Sequence, residues 1–117
     1  MLWTDSSIYE GDFHKKLIHG HGCYQWPDGR TYTGSWRDNK MDGYGKYTFP
    51  SGKFYEGQYK NDLKDGYGTF KWPDGRIYSG WWKEGQQNGQ GVYTNPKGLV
   101  RKGLWENGSR KHWITPY

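Results

Sequence analysis

The sequence contains no alanine, a single cysteine, few aliphatic residues and no long apolar run. Each shortage removes a class of structure. With 19 glycines and no alanine among 117 residues, long helices are excluded, because each interior glycine costs about 1 kcal/mol relative to alanine. The lone Cys23 has no partner for an internal disulfide, which fits a reducing compartment, and with no basic neighbour to activate it the thiol reads as filler at a strand position. No stretch approaches the roughly 18 apolar residues of a membrane-spanning helix. The start, Met1-Leu2-Trp3-Thr4-Asp5, lacks the basic-then-apolar pattern of a secretory signal. A soluble, cytoplasmic chain is therefore expected. So little Leu, Ile and Val would ordinarily suggest disorder, but aromatic residues make up 20% of the chain. What is buried must be mostly ring, and Tyr, Trp, Phe and Thr favour strands.

The glycines are periodic. Tyr-x-Gly-x-aromatic recurs every 23 residues at Tyr9-Gly11-Phe13, Tyr32-Gly34-Trp36, Tyr55-Gly57-Tyr59 and Tyr78-Gly80-Trp82, and Gly103-Leu104-Trp105 continues it with Arg101 in the tyrosine slot. A Gly-x-Gly follows each full copy (Gly20/Gly22, Gly43/Gly45, Gly66/Gly68, Gly89/Gly91), then a turn glycine (Gly29, Gly52, Gly75, Gly98). Gly85 and Gly108 are also 23 apart, so all 19 glycines fall on five columns of one repeat. Such a period indicates a stacked array rather than a globule with a central core.

In the unit 32–54, Tyr32, Gly34 and Trp36 share one side of an extended segment while Thr33, Ser35 and Arg37 face the other, the period-two pattern of a strand. The stretch 38–43 reads as the reversal, with Asp42-Gly43 supplying a positive-φ hairpin position. Gly45 to Phe49 reads as the returning strand, closed by Pro50-Ser51-Gly52 and its sister Pro-Asp-Gly turns. Each repeat is then one β-hairpin, and since a lone hairpin is marginal in water, the hairpins must pair edge to edge. The expected fold is all-β: an elongated, single-layer antiparallel meander, twisted and grooved, with capped ends. About ten strands spaced about 4.8 Å apart would make a ribbon roughly 45 Å long. The array occupies 1–117: a partial strand at 1–8, full repeats at 9–31, 32–54, 55–77 and 78–100, and a partial repeat with a cap at 101–117. Residues 109–117 are expected to fold over the open edge, as exposed edges need cover.

Tyr-x-Gly-x-Trp, then Gly-x-Gly, then Asp-Gly at this spacing resembles the MORN repeat (membrane occupation and recognition nexus). The resemblance implies an extended β-meander groove with no catalytic residues of its own, in a family found in cytoskeletal, ciliary and membrane-junction proteins. Three departures stand out. Arg101 replaces tyrosine, Asn95 replaces the ring found at Trp26, Phe49 and Trp72, and the usual His-Gly survives only at His19-Gly20, with Asp42, Asp65 and Asn88 in the other copies.

The residues give no sign of an enzyme or of a cofactor. No Gly-x-Gly opens a helix or carries Gly-Lys-Ser/Thr, so phosphate-loop chemistry is excluded. His19 and His21 could form half a metal site, but no further His or Cys cluster completes it. Asp28, Ser51 and Asp74 occupy turn slots that need side-chain-to-backbone bonding.

Two classes of binding function remain. The first is a protein scaffold, monomeric or oligomeric, that holds a helical or extended peptide in an aromatic-lined groove. Its groove aromatics are Tyr32, Trp36, Tyr55, Tyr59, Tyr78 and Trp82, which the array also needs for stacking. Tyr44, Tyr67 and Trp81 break the ring columns, and Tyr44 and Tyr67, beside the expected turns, would lie along a rim suited to anchoring a partner. The second class is binding to an anionic phospholipid or membrane surface. Of the net charge of +5, residues 96–112 hold +4 through Lys97, Arg101, Lys102, Arg110 and Lys111 against Glu106, and each cation near an anionic surface is worth about 1 kcal/mol. Nucleic acid is disfavoured, because basic and aromatic columns do not interleave into a stacking track.

Overall fold

A computed structural model describes residues 6–114. Ten strands among the described residues form one sheet in strict sequence order. They are β1 (Ile8–His14), β2 (Leu17–Gln25), β3 (Thr31–Arg37), β4 (Lys40–Thr48), β5 (Phe54–Lys60), β6 (Leu63–Lys71), β7 (Ile77–Lys83), β8 (Gln86–Thr94), β9 (Val100–Glu106) and β10 (Ser109–Trp113). Every pairing is antiparallel. The molecule is a ribbon of 50 × 24 × 18 Å, close to the length that strand spacing predicts. No helix among the described residues is long and apolar enough to cross a membrane.

The hairpin turns lie earlier than the sequence pattern suggested. The reversal between β3 and β4 is Asp38-Asn39, with φ of 46° and 69°. Two consecutive positive φ values make the type I′ turn that matches strand twist. Lys15-Lys16, Asn61-Asp62, Glu84-Gly85 and Asn107-Gly108 occupy the equivalent turns, and each carries the same pair of positive φ values. Asp42-Gly43, expected as the turn, instead sits inside β4 at a bulge. Gly34 pairs with Gly45 and Trp36 with Met41, so β4 carries two more residues over this stretch than β3, and Gly43 takes φ +99° to absorb them. Asp-Gly was a misleading cue because Asp38 and Asn39 already tolerate the left-handed region.

Each turn after the first is tied to the preceding repeat. Asn39 N–H donates to the Ile18 carbonyl at 2.9 Å, and the Asn39 side-chain oxygen accepts from Ile18 N–H at 2.8 Å. Asp62 does the same with Met41, at 2.9 and 2.8 Å. Gly85 and Gly108 keep the backbone bonds to Lys64 and Gln87 but have no side chain to return the second. A further staple uses the departed-histidine column: His19, Asp42, Asp65 and Asn88 each accept from the first turn residue of the next repeat, at 3.2 to 3.3 Å. The column needs an acceptor, which His, Asp and Asn all supply, so the substitutions leave its role intact.

All the buried rings lie on one face of the sheet. Tyr9, Tyr32, Tyr55 and Tyr78 are fully buried although the sheet has no second layer, because each phenol lies flat across its own repeat. Tyr32 passes over the paired Gly34 and Gly45, and its hydroxyl donates to the Ser35 carbonyl opposite the bulge at 2.9 Å. Tyr9, Tyr55 and Tyr78 repeat this bond to Asp12, Gln58 and Trp81. A Cβ on Gly45 would overlap the Tyr32 ring, and one on Gly57 would come within 2.6 Å of the Tyr67 carbonyl and 2.8 Å of the Tyr55 hydroxyl.

At the C-terminal end, Ser109–Trp113 covers the open β9 edge by pairing with it as a tenth strand. Trp113 lies on the ring face, edge-on to Trp105 at 5.9 Å. Tyr117 and most of the expected strand at 1–8, including Trp3 and Asp5, lie outside the described residues.

Two glycine substitutions should move stability in opposite directions. Gly57→Ala forces the sheet backbone or Tyr55 to shift and should cost about 2 kcal/mol or more. Gly85→Asn has a φ of +85° that Asn tolerates, and its side chain can return the bond to Lys64 N–H, a gain of about 0.5 to 1 kcal/mol. Thermal melts followed by circular dichroism decide the matter, and comparable destabilisation by both variants would contradict the stapling account.

Candidate functional site

The ring face carries two rows with different exposure. The first row runs edge to face along the ribbon: Phe13, Tyr9, Trp36, Tyr32, Tyr59, Tyr55, Trp82, Tyr78 and Trp105, with successive centroids 4.8 to 5.8 Å apart. Trp36 and Trp82 also donate their indole N–H to the carbonyls of Gly22 and Gly68 in the preceding repeat, at 3.0 and 3.2 Å. Thus the expected groove aromatics are architectural. Tyr32, Tyr55 and Tyr78 are fully buried, while Trp36, Tyr59 and Trp82 keep only 6 to 8% of their surface, so little of any of them is left to meet a ligand.

The second row, from the even-numbered strands and the residue that follows each, is half-buried: Tyr24, Trp26, Tyr47, Phe49 and Trp72 pack against the first row and against one another, together with the more buried Phe70, at 4.5 to 6.4 Å. These residues present ring surface to solvent. Sequence reasoning passed over them as members of the regular columns; the signal lay in their position on the longer, bulged strand of each hairpin, farther from the glycine pairs.

Three hollows open between the rows. One of about 360 Å³ is bordered by Ile18, Tyr24, Trp26, Trp36 and Met41. The next, of about 270 Å³, shares Met41 and Asp62 with it and is bordered by Arg30, Tyr47, Phe49, Tyr59 and Lys64. The third, also about 270 Å³, lies among Trp72, Gln87, Tyr93, Trp105, Arg110 and Trp113. It adjoins the repeat in which Asn95 replaces a ring and spends its side-chain oxygen on the N–H groups of Lys97 and Leu99, at 2.9 and 3.0 Å.

Tyr44, Tyr67 and Trp81 lie elsewhere. They belong to the opposite face, about half exposed, and they sit at mid-strand rather than along a rim, because the turn precedes Tyr44 by a full bulge. Tyr67 and Trp81 are cross-strand neighbours in an edge-to-face pair at 5.5 Å. Beside them is a hollow of about 150 Å³ that Lys102 and Ile114 complete.

The basic cluster does not form one patch. Arg101 and Arg110 bring their guanidinium groups to 4.3 and 4.5 Å from the Trp113 ring on the ring face. Lys102 faces the opposite side, and Lys97 and Lys111 are exposed at a turn and at the β10 bulge. Among the described residues no three His, Cys, Asp or Glu side chains gather as a metal site, and His19 Nδ1 is engaged with Asp38 N–H at 3.3 Å. Asp28 and Asp74 bind the N–H groups of Arg30 and Arg76 and pair with their guanidinium groups, contacts that hold both carboxyls below the usual carboxylate range.

Burial dominates the titration of Tyr32, Tyr55 and Tyr78. It pushes Tyr78 up to about 12, with a smaller contribution from Tyr67. Tyr32 and Tyr55 are raised further, again chiefly by burial and then by Asp42 and Asp62 around Tyr32 and by Asp65 near Tyr55.

A family model described as MORN repeat matches residues 9–29, 32–54, 55–75 and 78–100. No curated protein matches the chain.

The raised tyrosines predict alkaline unfolding. Above pH 10, the ordinary tyrosine value, the unfolded chain loses phenolic protons that the folded chain keeps. Stability therefore falls as pH rises, by up to about 1.4 kcal/mol per pH unit for each such tyrosine. Tyrosinate absorbance of the buried group should appear in the same cooperative transition as the loss of circular dichroism. Gradual ionisation of all 11 tyrosines with the dichroism unchanged would contradict this.

Proposed function

Because the chain belongs to the MORN-repeat family, whose repeats generally bind proteins or membranes, we propose that it is a non-enzymatic scaffold that docks a protein segment along its ring face. The observation that carries this reading is the row of half-buried rings beside three hollows. Aromatic surface that is fixed at its root and exposed at its edge loses little entropy on binding, and Tyr and Trp dominate the energetics of protein interfaces. The fold does not consume this surface: Trp26 and Trp72 pack onto the first row without serving as one of its links. A subunit or adaptor role in a cytoplasmic assembly, cytoskeletal, ciliary or membrane-associated, is the setting that we infer from the family.

A second reading has one observation in its favour. The turn at 96–99 exposes Leu99, with Val100 next to it, each retaining more than half its surface, and Lys97 is beside them. Apolar tips flanked by cations suit the interface of an anionic phospholipid bilayer. It ranks below docking because Arg101 and Arg110 face the Trp113 ring instead of extending this tip.

Paired substitutions separate the faces. Trp26→Ser with Trp72→Ser removes exposed ring from the groove, while Tyr67→Ser with Trp81→Ser removes it from the opposite face. For a partner captured from lysate and then purified, the groove pair should weaken affinity by about 2 kcal/mol or more, and the opposite pair should leave it nearly unchanged. The reverse ranking would move the interface to the Tyr67/Trp81 face. Salt-sensitive sedimentation with phosphoinositide vesicles, lost on changing Leu99 and Lys97 to Gln, would favour the membrane reading instead.

A further inference from the structure

One column of the repeat changes character along the groove. Ile18, Met41, Lys64, Gln87 and Arg110 are 23 residues apart, and each pairs across its hairpin with the first-row ring position, Phe13, Trp36, Tyr59, Trp82 and Trp105. Ile18 and Met41 are buried apolar side chains, whereas the later three members are cationic or polar. The groove floor is thus apolar at one end and basic at the other.

Lys64 is the first cation in this column. Its Nζ lies 5.7, 5.9 and 5.2 Å from the centroids of Tyr55, Phe70 and Trp82, a site built of ring faces. Among the described residues no carboxylate forms an ion pair with it. Asp62, which borders the same hollow, spends an oxygen on Met41 N–H at 2.8 Å. Arg30 borders the hollow as well, engaged with Asp28 and with the Tyr47 hydroxyl at 2.8 Å. Burial first, and the like charge of Lys53 second, lower the pKa of Lys64. A partly desolvated ammonium among rings, with cations for neighbours, is incomplete without an anion.

Resting on the docking reading above, we propose that the Lys64 hollow receives an Asp or Glu side chain of the docked segment, while an apolar side chain of the same segment fills the adjoining hollow over Ile18 and Met41. The two hollows are one repeat apart, about 10 Å for two strand spacings, so both lie within reach of a short peptide. A bilayer is a poorer occupant, because its surface cannot bring a phosphate down between the ring rows to the floor of the groove. The order of the two hollows gives the occupant a direction: its apolar residue lies toward β2 and its acid toward β6.

The test is selection of a random peptide library on the immobilised 117-residue chain, in parallel with Lys64→Met and Lys64→Glu. Met is the residue that the fold already accepts at position 41, and melting temperatures close to wild type verify that both variants are folded. Wild type should enrich peptides that combine a carboxylate with a nearby apolar residue. Lys64→Met should abolish the acidic preference and weaken individual peptides on the order of tenfold, in line with loss of a charge-assisted contact. Lys64→Glu should select Lys or Arg in its place. Binders with no excess of acid, unchanged affinity for Lys64→Met, or no binders at all would overturn the carboxylate site. Acid-free binders that the Trp26/Trp72 variant loses would sink this proposal yet leave the docking reading intact, whereas binders indifferent to both sets of variants would sink the two together. Binding of wild type to phosphoinositide vesicles that Lys64→Met abolishes would assign the hollow to a lipid phosphate and overturn it likewise.

Discussion

The structure depends on a phenol ring lying over a pair of glycines. A single-layer sheet has no opposing layer against which to bury side chains, so the only way to exclude water is to lay large rings along the sheet itself. Tyr32 does this across Gly34 and Gly45, and any Cβ at either glycine would occupy the space of the ring or the neighbouring backbone. The ring reaches the bulge, where its hydroxyl satisfies the Ser35 carbonyl that the altered register leaves exposed. The glycine columns, the bulge and the buried hydroxyl are therefore one device. It is repeated at Tyr9, Tyr55 and Tyr78, and it fails only where Arg101 replaces the tyrosine and Trp105 and Trp113 crowd over Gly103 instead.

From that device follows a division of labour between the strands of a hairpin. The shorter strand supplies Tyr and the Trp, Tyr or Phe two turns of the pleat later, which interlock edge to face with the next repeat and account for the stacking energy, about 0.5 to 1.5 kcal/mol per well-placed pair beyond area burial. The longer strand supplies rings that pack on this layer but remain half-exposed. Because each strand pairs only with its sequence neighbours, cohesion is a chain of nearest-neighbour terms, and loss of one link weakens adjacent hairpins first.

Much of this was legible in the sequence, for a physical reason: period two and period 23 both report backbone geometry directly. The hairpins, the meander and the length of the ribbon could be read from the 23-residue spacing of the glycine columns, and the shared face of Tyr32, Gly34 and Trp36 from their alternation. The turn was misplaced because Asp42-Gly43 and Asp38-Asn39 both permit positive φ, and only pairing decides which becomes the turn and which the bulge. That shift of four residues also put Tyr44 and Tyr67 on a rim instead of at mid-strand on the opposite face. The staple formed by His19, Asp42, Asp65 and Asn88 was invisible as a motif, since what the column shares is an acceptor atom and not a residue type. The split of the basic cluster was hidden for a similar reason, because alternation along β9 sends Arg101 and Lys102 to opposite faces.

The column of Ile18, Met41, Lys64, Gln87 and Arg110 shows how such an array separates folding from recognition. Its members hold the same register but bear no common hydrogen bond through their side chains, and the turn staple beside them uses their backbone N–H and carbonyl groups. The side chain is consequently free to vary from apolar to cationic at little cost to the sheet, whereas a change at the neighbouring glycine or tyrosine columns disrupts it. A groove assembled this way acquires its chemical pattern one repeat at a time, at intervals of about 10 Å. Its specificity then depends on the order of residues along one column, read by an elongated partner that spans several repeats at once.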